Sequence, residues 1–342
     1  MGNRIQKNRR KKHPSPLARL FKGLYILLLV LSVGIIGIYG AVQTLIWLPE
    51  VESQVTFLPQ SGPQQNQSQQ QGAEALPSDP PPIVYTRREG VRTCLIVGTD
   101  DGNGKADTIM LGCFDVKTRS ASLISIPRDT LVQINGKHWK VNAAFGLGGI
   151  ELVRETVART LGIPVDYYVS VDLRAFRRIV DAIGGVWFDV PVDMHYTDPT
   201  QNLNIHVNKG YQRLNGEDAM GVVRFRSGYA AQDLGRVDTQ RKFLVALVKQ
   251  TITPSNADKV SELIGILREY VKTDMPLETM IYFATAAIGL NLDTALESAT
   301  LPADWDSPYL ELRDAEVVEM INRLIPIYTE PVRLDIMDIQ HR

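Results

Sequence analysis

Hydrophobic positions fall into three regimes along the chain. From Leu24 to Leu48 they form a run that no charge interrupts. From about residue 59 to 82 they nearly vanish, replaced by Gln, Ser, Gly and Pro. Beyond about residue 86 they recur with the periods of secondary structure, two for strands and 3.6 for helices. This third regime predicts strands near 91–98 and 107–114, which face each other if they form a hairpin centred near residue 103, and a third near 120–126 that stops at Ile126-Pro127. Leu152, Val153, Val157 and Leu161 have helical spacing, so a helix is expected near 150–161, opened by Gly148-Gly149 and stopped by Gly162-Ile163-Pro164. A strand near 166–171, a helix near 172–182 closed by Gly184-Gly185, and a strand over Val186–Val190 follow. After a polar, turn-rich stretch, Asn215-Gly216 starts a short helix leading into Arg224. A long helix is expected over about 233–252, two more near 256–271 and 276–290, a strand near 296–301 and a last helix near 314–325. Strands alternating with helices predict an α/β layered domain.

The first regime is long enough to span a bilayer, which takes roughly 20 apolar residues. Residues 1–22 carry eight Lys or Arg and no acid, while Glu50 and Glu52 follow the run. The positive-inside rule then puts the N-terminus in the cytoplasm and the body outside the membrane. A cleaved signal peptide is the alternative, but its apolar region would be about 7–15 residues, with a small-x-small site. The Gln/Pro-rich regime cannot bury enough surface to fold and reads as a spacer. The expected organisation is a basic tail 1–23, a single transmembrane anchor 24–48, an extracytoplasmic linker 49–85, a globular domain 86–328 and a C-terminal tail 329–342.

Charge narrows the function. The formal net charge of the chain is −1, so the basic tail leaves −9 on the remainder. An acidic exported body argues against a general nucleic-acid surface. The two cysteines, Cys94 and Cys113, sit in the apolar runs of the expected hairpin. They are expected as buried thiols acting as small hydrophobes, with a cross-strand disulfide as the alternative.

Against this acidic background stands a local cluster of arginines: Arg224-Phe225-Arg226, then Arg236 and Gln240. Arginine presents a planar fork of donors suited to phosphate oxygens. Two arginines two apart in an extended segment point to one side of it. Arg236 and Gln240 are four apart on the long helix, and Phe243, Leu244 and Leu247 continue their stripe, which places both at the rim of the interior. Three other segments carry chemistry. Asp100 and Asp107 lie at the two ends of the hairpin turn, with Lys105 between them, and two such carboxylates suit Mg²⁺; a polar turn is the plainer explanation. Ser125-Ile126-Pro127-Arg128-Asp129 ends a strand and presents an arginine, or simply a surface ion pair. Lys140 precedes a glycine-rich stretch that permits close approach of an anion at a helix N-terminus, or is merely solvated.

The order of these pieces resembles the LytR–CpsA–Psr family of membrane-anchored phosphotransferases. The residues that carry the resemblance are Leu95-Ile96-Val97-Gly98-Thr99-Asp100, Ala106-Asp107-Thr108-Ile109-Met110-Leu111, Ser125-Ile126-Pro127-Arg128-Asp129, Lys140-Val141-Asn142-Ala143-Ala144-Phe145, Gly184-Gly185-Val186, Leu214-Asn215-Gly216, Arg224-Phe225-Arg226 and Gly235-Arg236. The resemblance implies a mixed central sheet flanked by helices in three layers. It also implies a reaction: a glycopolymer leaves a polyprenyl pyrophosphate carrier with one phosphate and joins an acceptor hydroxyl, usually on peptidoglycan. The family's metal-binding aspartates fall on Asp100 and Asp107, for Mg²⁺ or Mn²⁺. Its pyrophosphate-binding residues fall on Lys105, Arg128, Lys140, Arg224, Arg226 and Arg236, with Gln240 beside them. Arg128, Arg224, Arg226 and Asp107 are the expected catalytic residues, and Asp107 and Asp129 are candidates for the general base. The prenyl chain needs an apolar tunnel, for which the stripes Leu152/Val153/Val157 and Leu244/Leu247/Val248 are candidates, with ordinary core packing as the default.

Two departures from the family pattern stand out. Lys105 replaces a frequent arginine and loses its bidentate geometry. A usual Arg-Gln pair appears as Thr239-Gln240 with Arg241 following, so one arginine is absent or displaced by two positions. Two other functions compete with the transferase. One is a phosphohydrolase acting on the same lipid-linked substrate; the other is a non-catalytic envelope-binding or signalling protein.

Overall fold

A computed structural model describes residues 51–57, 83–99, 106–198, 203–226, 232–251, 263, 265–266, 269–287 and 290–342. The expected anchor, the basic tail, most of the linker and most of the helix near 256–271 lie outside the described residues. Among the described residues no helix is long and apolar enough to cross a membrane.

In chain order the elements are β1 (Gln54–Phe57), β2 (Ile83–Thr86), β3 (Val91–Thr99), β4 (Ala106–Asp115), β5 (Ser120–Ser125), β6 (Leu131–Ile134), β7 (Lys137–Lys140), α1 (Ala143–Leu161), β8 (Tyr167–Asp172), α2 (Leu173–Ala182) and β9 (Val186–Val190). There follow β10 (Met194–Asp198), β11 (Leu203–Val207), β12 (Gly210–Leu214), α3 (Gly216–Arg224), α4 (Gln232–Thr251), β13 (Val271–Thr273), α5 (Leu277–Ala287), α6 (Leu292–Ala295), β14 (Leu296–Thr300), β15 (Ala303–Asp306), β16 (Tyr309–Leu312), α7 (Asp314–Leu324) and a 3₁₀ turn over Leu334–Ile336.

The centre is a six-stranded sheet in the order β13-β8-β3-β4-β5-β14. Short connections make β3–β4 and β4–β5 antiparallel, whereas the long crossover through α1 brings β8 parallel to β3. β14 closes the other edge parallel to β5, so the sheet is mixed, with helices on both sides. Leu95, Val97, Ile109 and Leu111 point to one face and pack with Val153 and Val157 of α1 and Val317 and Ile321 of α7. Each such fully buried aliphatic side chain contributes about 1.5–3 kcal/mol. The stripe Leu152/Val153/Val157 therefore belongs to this core and lines no tunnel. The opposite face looks towards α2 and α4 and a second hydrophobic cluster that includes Phe188, Ile205 and Phe243.

Several local expectations change. The helix expected from residue 150 begins at Ala143 and is kinked at Gly148 and Gly149, where Gly149 takes φ 67°, a conformation that favours glycine. The glycines thus interrupt the helix rather than open it. Its end is as expected, with Gly162 at φ 63° donating back to the last turn. The polar stretch before Asn215 holds β10, β11 and β12, the first two paired as a hairpin and the third paired with β9. The C-terminal tail 329–342 packs onto the domain, since Val332, Ile336 and Met337 join the main core. Within 49–85, β1 pairs with β2.

The cysteines are both free. The register pairs Cys94 with Gly112 and Thr93 with Cys113, so the thiols sit one pair apart and on opposite faces of the sheet. Burial, reinforced by nearby carboxylates, pushes each thiol up to about 12.

Candidate functional site

The hairpin β3–β4 slips register between Gly98 and Thr99, a bulge that re-aims the strand ends. Asp107 emerges there at the start of β4. The strand β5 stops at Ser125, and Ile126-Pro127 turns the chain so that Arg128 returns towards the same place. Arg128 Nη1 donates to Asp107 Oδ1 at 3.2 Å. Arg226 Nη2 reaches the same oxygen at 3.5 Å. The chain of charges continues outward: Arg128 Nε stands 3.9 Å from Asp129 Oδ2, and Lys140 Nζ is 3.0 Å from Asp129 Oδ1. Alternating charges from Lys140 through Asp129, Arg128 and Asp107 to Arg226 hold the guanidiniums in place. Arg226 is more than half exposed, so its ion pair adds little stability and its value lies in position.

Arg224 was expected in an extended segment, but it is the last residue of α3. Asn215 caps this helix by accepting from Asp218 N, which carries the helical backbone as far as Arg224 before Phe225 turns extended. Arg224 and Arg226 nevertheless border one cavity of about 430 Å³. Arg236 and Gln240 form its wall from α4, as their helical spacing predicts. Arg236 is 1% exposed, and Gln240 Nε2 donates to Val223 O at 2.8 Å, tying α4 to α3. Beyond them Phe243, Leu244 and Leu247 carry the stripe into the apolar depth, where Ile96, Met110 and Val169 of the central sheet form the floor. Cationic groups at the mouth of an apolar, low-dielectric space concentrate positive potential there.

The displaced arginine does not restore the family pair. Thr239 is buried and donates to Gly235 O at 2.9 Å. Arg241 lies about 200° further round the helix, where it pairs with Asp238 and reaches Ser298 of β14, away from the cavity. Lys140 pairs with Asp129 and is not among the residues that line the cavity. Asp100 and Lys105 lie outside the described residues. Among the cavity residues that the sequence does not single out are two with polar groups, Asp172 and Tyr196. Asp172 reads as a helix cap, and it does accept from Ala175 N. Tyr196 comes from the β10–β11 hairpin, which a polar sequence concealed.

Asp107 stands between the guanidiniums of Arg128 and Arg226, Asp129 flanks Arg128, and no group of three or more His, Cys, Asp or Glu clusters among the described residues. A partly exposed carboxylate such as Asp107 fits Mg²⁺, which takes one or two carboxylates and completes its shell with water and other oxygens.

Fold and site together define an α/β domain with an arginine-lined mouth on an apolar cavity. The LytR_cpsA_psr family model matches residues 59–324, and the chain belongs to that family. It is 32% identical over 223 residues to the regulatory protein MsrR of Staphylococcus aureus, covering 63% of this chain and 66% of that protein. It is 35% identical over 182 residues to the polyisoprenyl-teichoic acid–peptidoglycan teichoic acid transferase TagV of Bacillus subtilis, covering 52% of this chain and 46% of the relative. The chain thus spans just under two thirds of MsrR and about half of TagV. The crystal structure of B. subtilis TagV superimposes with a TM-score of 0.61 at 27% identity, covering 69% of this chain and 96% of that one. TagT bound to LI-WTA gives a TM-score of 0.56 at 26% identity over 69% and 90% of the two chains.

Proposed function

We propose that this protein transfers a glycopolymer, with one phosphate, from a polyprenyl pyrophosphate carrier to an acceptor hydroxyl of the cell envelope, with peptidoglycan as the acceptor. The observation that carries the reading is the meeting of Arg128, Arg226 and Asp107 at the mouth of an apolar cavity walled by Arg236 and Gln240. A diphosphate with a lipid on one side and a sugar on the other matches both halves of that space. The names of TagV and of TagU from Bacillus cereus, both teichoic acid transferases, support it.

The acceptor oxygen attacks the phosphorus attached to the glycan, and the bridging P–O bond to the second phosphate breaks. The products are a glycan phosphodiester and a prenyl monophosphate. The hydroxyl proton passes to solvent or to a carboxylate, for which Asp107 is the nearest described group to the guanidiniums. The reaction asks for neutralisation of charge on the leaving phosphate and for positioning of the attacking oxygen. Arg128, Arg224, Arg226 and Arg236 supply the first without a protein nucleophile. Mg²⁺ or Mn²⁺ held by Asp107 and Asp100 would add further neutralisation of the diphosphate. The run Leu24–Leu48 would anchor the chain once through the membrane, with the N-terminus cytoplasmic and the domain presented to the lipid-linked donor outside.

The test is to incubate the full chain with a lipid-linked oligosaccharide and a peptidoglycan acceptor. A covalently linked product is expected, and chelation of divalent metal should suppress it. Free phosphorylated glycan as the only product would replace transfer by hydrolysis. Arg128→Ala and Arg226→Ala should each abolish linkage while the domain stays folded. Full activity in both would leave only a binding module.

A further inference from the structure

The cavity ends in a place that the catalytic reading does not use. Its floor is the face of β3 and β4 that carries Cys94, Ile96 and Met110. The polar mouth lies at Gly98 and Thr108, so the far end lies towards Cys94. There the register sets Cys94 between Gly112 on β4 and Tyr167 on β8. Phe114 is the next residue beyond Gly112 on the same face of β4. Phe283 of α5 touches both flanking strands: its ring is 5.7 Å from Phe114, edge to face, and 6.5 Å from Tyr167. One phenyl ring therefore bridges across β3 beyond Cys94, the cavity-lining residue of β3 farthest from the mouth.

Gly112 leaves room beside Cys94 on that strand row. A Cβ built on it would meet only two backbone oxygens, Cys94 O at 3.6 Å and Ser122 O at 3.9 Å, both ordinary contacts. Its backbone is not in the positive-φ region, so the chain conformation itself does not demand glycine. What the missing side chain provides is depth. A cavity of about 430 Å³ has the size of a site for a small ligand. It holds only the pyrophosphate-proximal part of a long prenyl chain.

We infer that Gly112 and Phe283 form the end stop that sets how many isoprene units of the donor this protein buries. The inference rests on the lipid-linked donor proposed above. A stop of this kind makes affinity rise with chain length until the chain meets Phe283, and then level off. Removing the ring opens the end, and filling the glycine gap moves the stop towards the mouth.

The experiment titrates the full chain calorimetrically with geranyl, farnesyl and geranylgeranyl pyrophosphate. In Phe283→Ala the ratio of geranylgeranyl to geranyl affinity should rise, and in Gly112→Leu it should fall, each by roughly tenfold. Opposite signs cannot come from general loosening of the fold. Should Phe283→Ala prove unstable by thermal melting, Phe283→Leu and Gly112→Leu carry the same test. If both folded variants keep the wild-type ladder, the end stop is overturned while the lipid-donor reading stands. If the wild-type protein binds none of the three, the lipid-donor reading itself falls, and the end stop with it.

Discussion

The two faces of the central sheet are equally apolar in sequence and opposite in use. Along β3, Leu95 and Val97 are fully buried in a dry core closed by α1 and α7. Between them Ile96 points the other way, into a space that α2 and α4 cover without filling. An apolar run buried on both sides cannot reveal which side is packed solid. The difference comes from the covering layer. On the filled face, aliphatic stripes of two helices meet the strands directly. On the open face, the stripe of α4 begins with Arg236 and Gln240, and charge at the rim keeps the layers from closing there. Close packing is the default for an interior, and a lined void forfeits contacts that would otherwise stabilise the fold. A void with a cationic rim is therefore a place where stability is given up for a ligand.

The largest effect expected from this contrast is at Arg236. Arg236→Met keeps most of the side-chain volume and removes the charge. Loss of one donor to a developing phosphate charge should lower transfer by about 10²–10³-fold. Thermal stability should fall without loss of the fold, because Arg236 is buried with polar partners that the substitution leaves behind while methionine keeps the packing volume. Transfer rates and melting curves on the same preparations separate the outcomes. A collapse of the melting temperature would make Arg236 a structural residue and would erase the distinction between the faces.

A matched pair of truncations tests the faces directly. Leu111→Ala removes atoms from the filled side and should cost about 2–5 kcal/mol in urea unfolding. Ile96→Ala, on a neighbouring strand, should cost clearly less, since its side chain already lacks neighbours on the cavity side. The order should reverse for prenyl pyrophosphate binding, which Ile96→Ala weakens and Leu111→Ala leaves intact in the folded fraction. Equal costs of unfolding would mean that the cavity is packed shut in solution. Reductant should change neither stability nor binding, because Cys94 and Cys113 are separate thiols on the two faces.

Much of this architecture was legible because it is local. The hairpin of β3 and β4, the caps at Asn215 and Gly162, and the shared helical face of Arg236 and Gln240 follow from period, turn chemistry and i, i+4 spacing. What the sequence concealed depends on tertiary partners. The strands β10 and β11 read as polar turns because only alternate residues, such as Met194, Ile205 and Val207, are buried while His195 and His206 stay exposed. Tyr196 was lost with them. Lys140 carries a charge in a suggestive motif, yet only the fold shows Asp129 claiming it. Arg241 looked like a displaced ligand, and helix geometry sends it to the other side. Leu152 and Leu244 belong to indistinguishable apolar stripes, and only the layer each faces decides between core and cavity.

The smallest effect belongs to the periphery of the filled face. His341 lies between Asp314, which begins α7, and Glu311 of β16, with Nε2 2.8 Å from Asp314 and Nδ1 3.5 Å from Glu311. Partial burial pulls the imidazole down, but hydrogen bonds and charge from Asp314, then Glu311, more than offset it and leave its pKa raised. A raised folded-state value means that the charged form is favoured by folding. The contribution is present in full below the unfolded value of about 6.5 and fades as pH rises through the folded one. His341 is half-exposed and Asp314 about a third exposed, and the gain is correspondingly slight. Melting temperatures of wild-type protein should therefore fall a little between about pH 5.5 and pH 8, and His341→Gln should remove that part of the slope. Prenyl pyrophosphate affinity at a fixed pH should be the same in both proteins, because the clasp secures the side of the sheet that carries no ligand. A change in affinity from this distant histidine would show that the two faces are coupled, and that the filled core sets the shape of the open one.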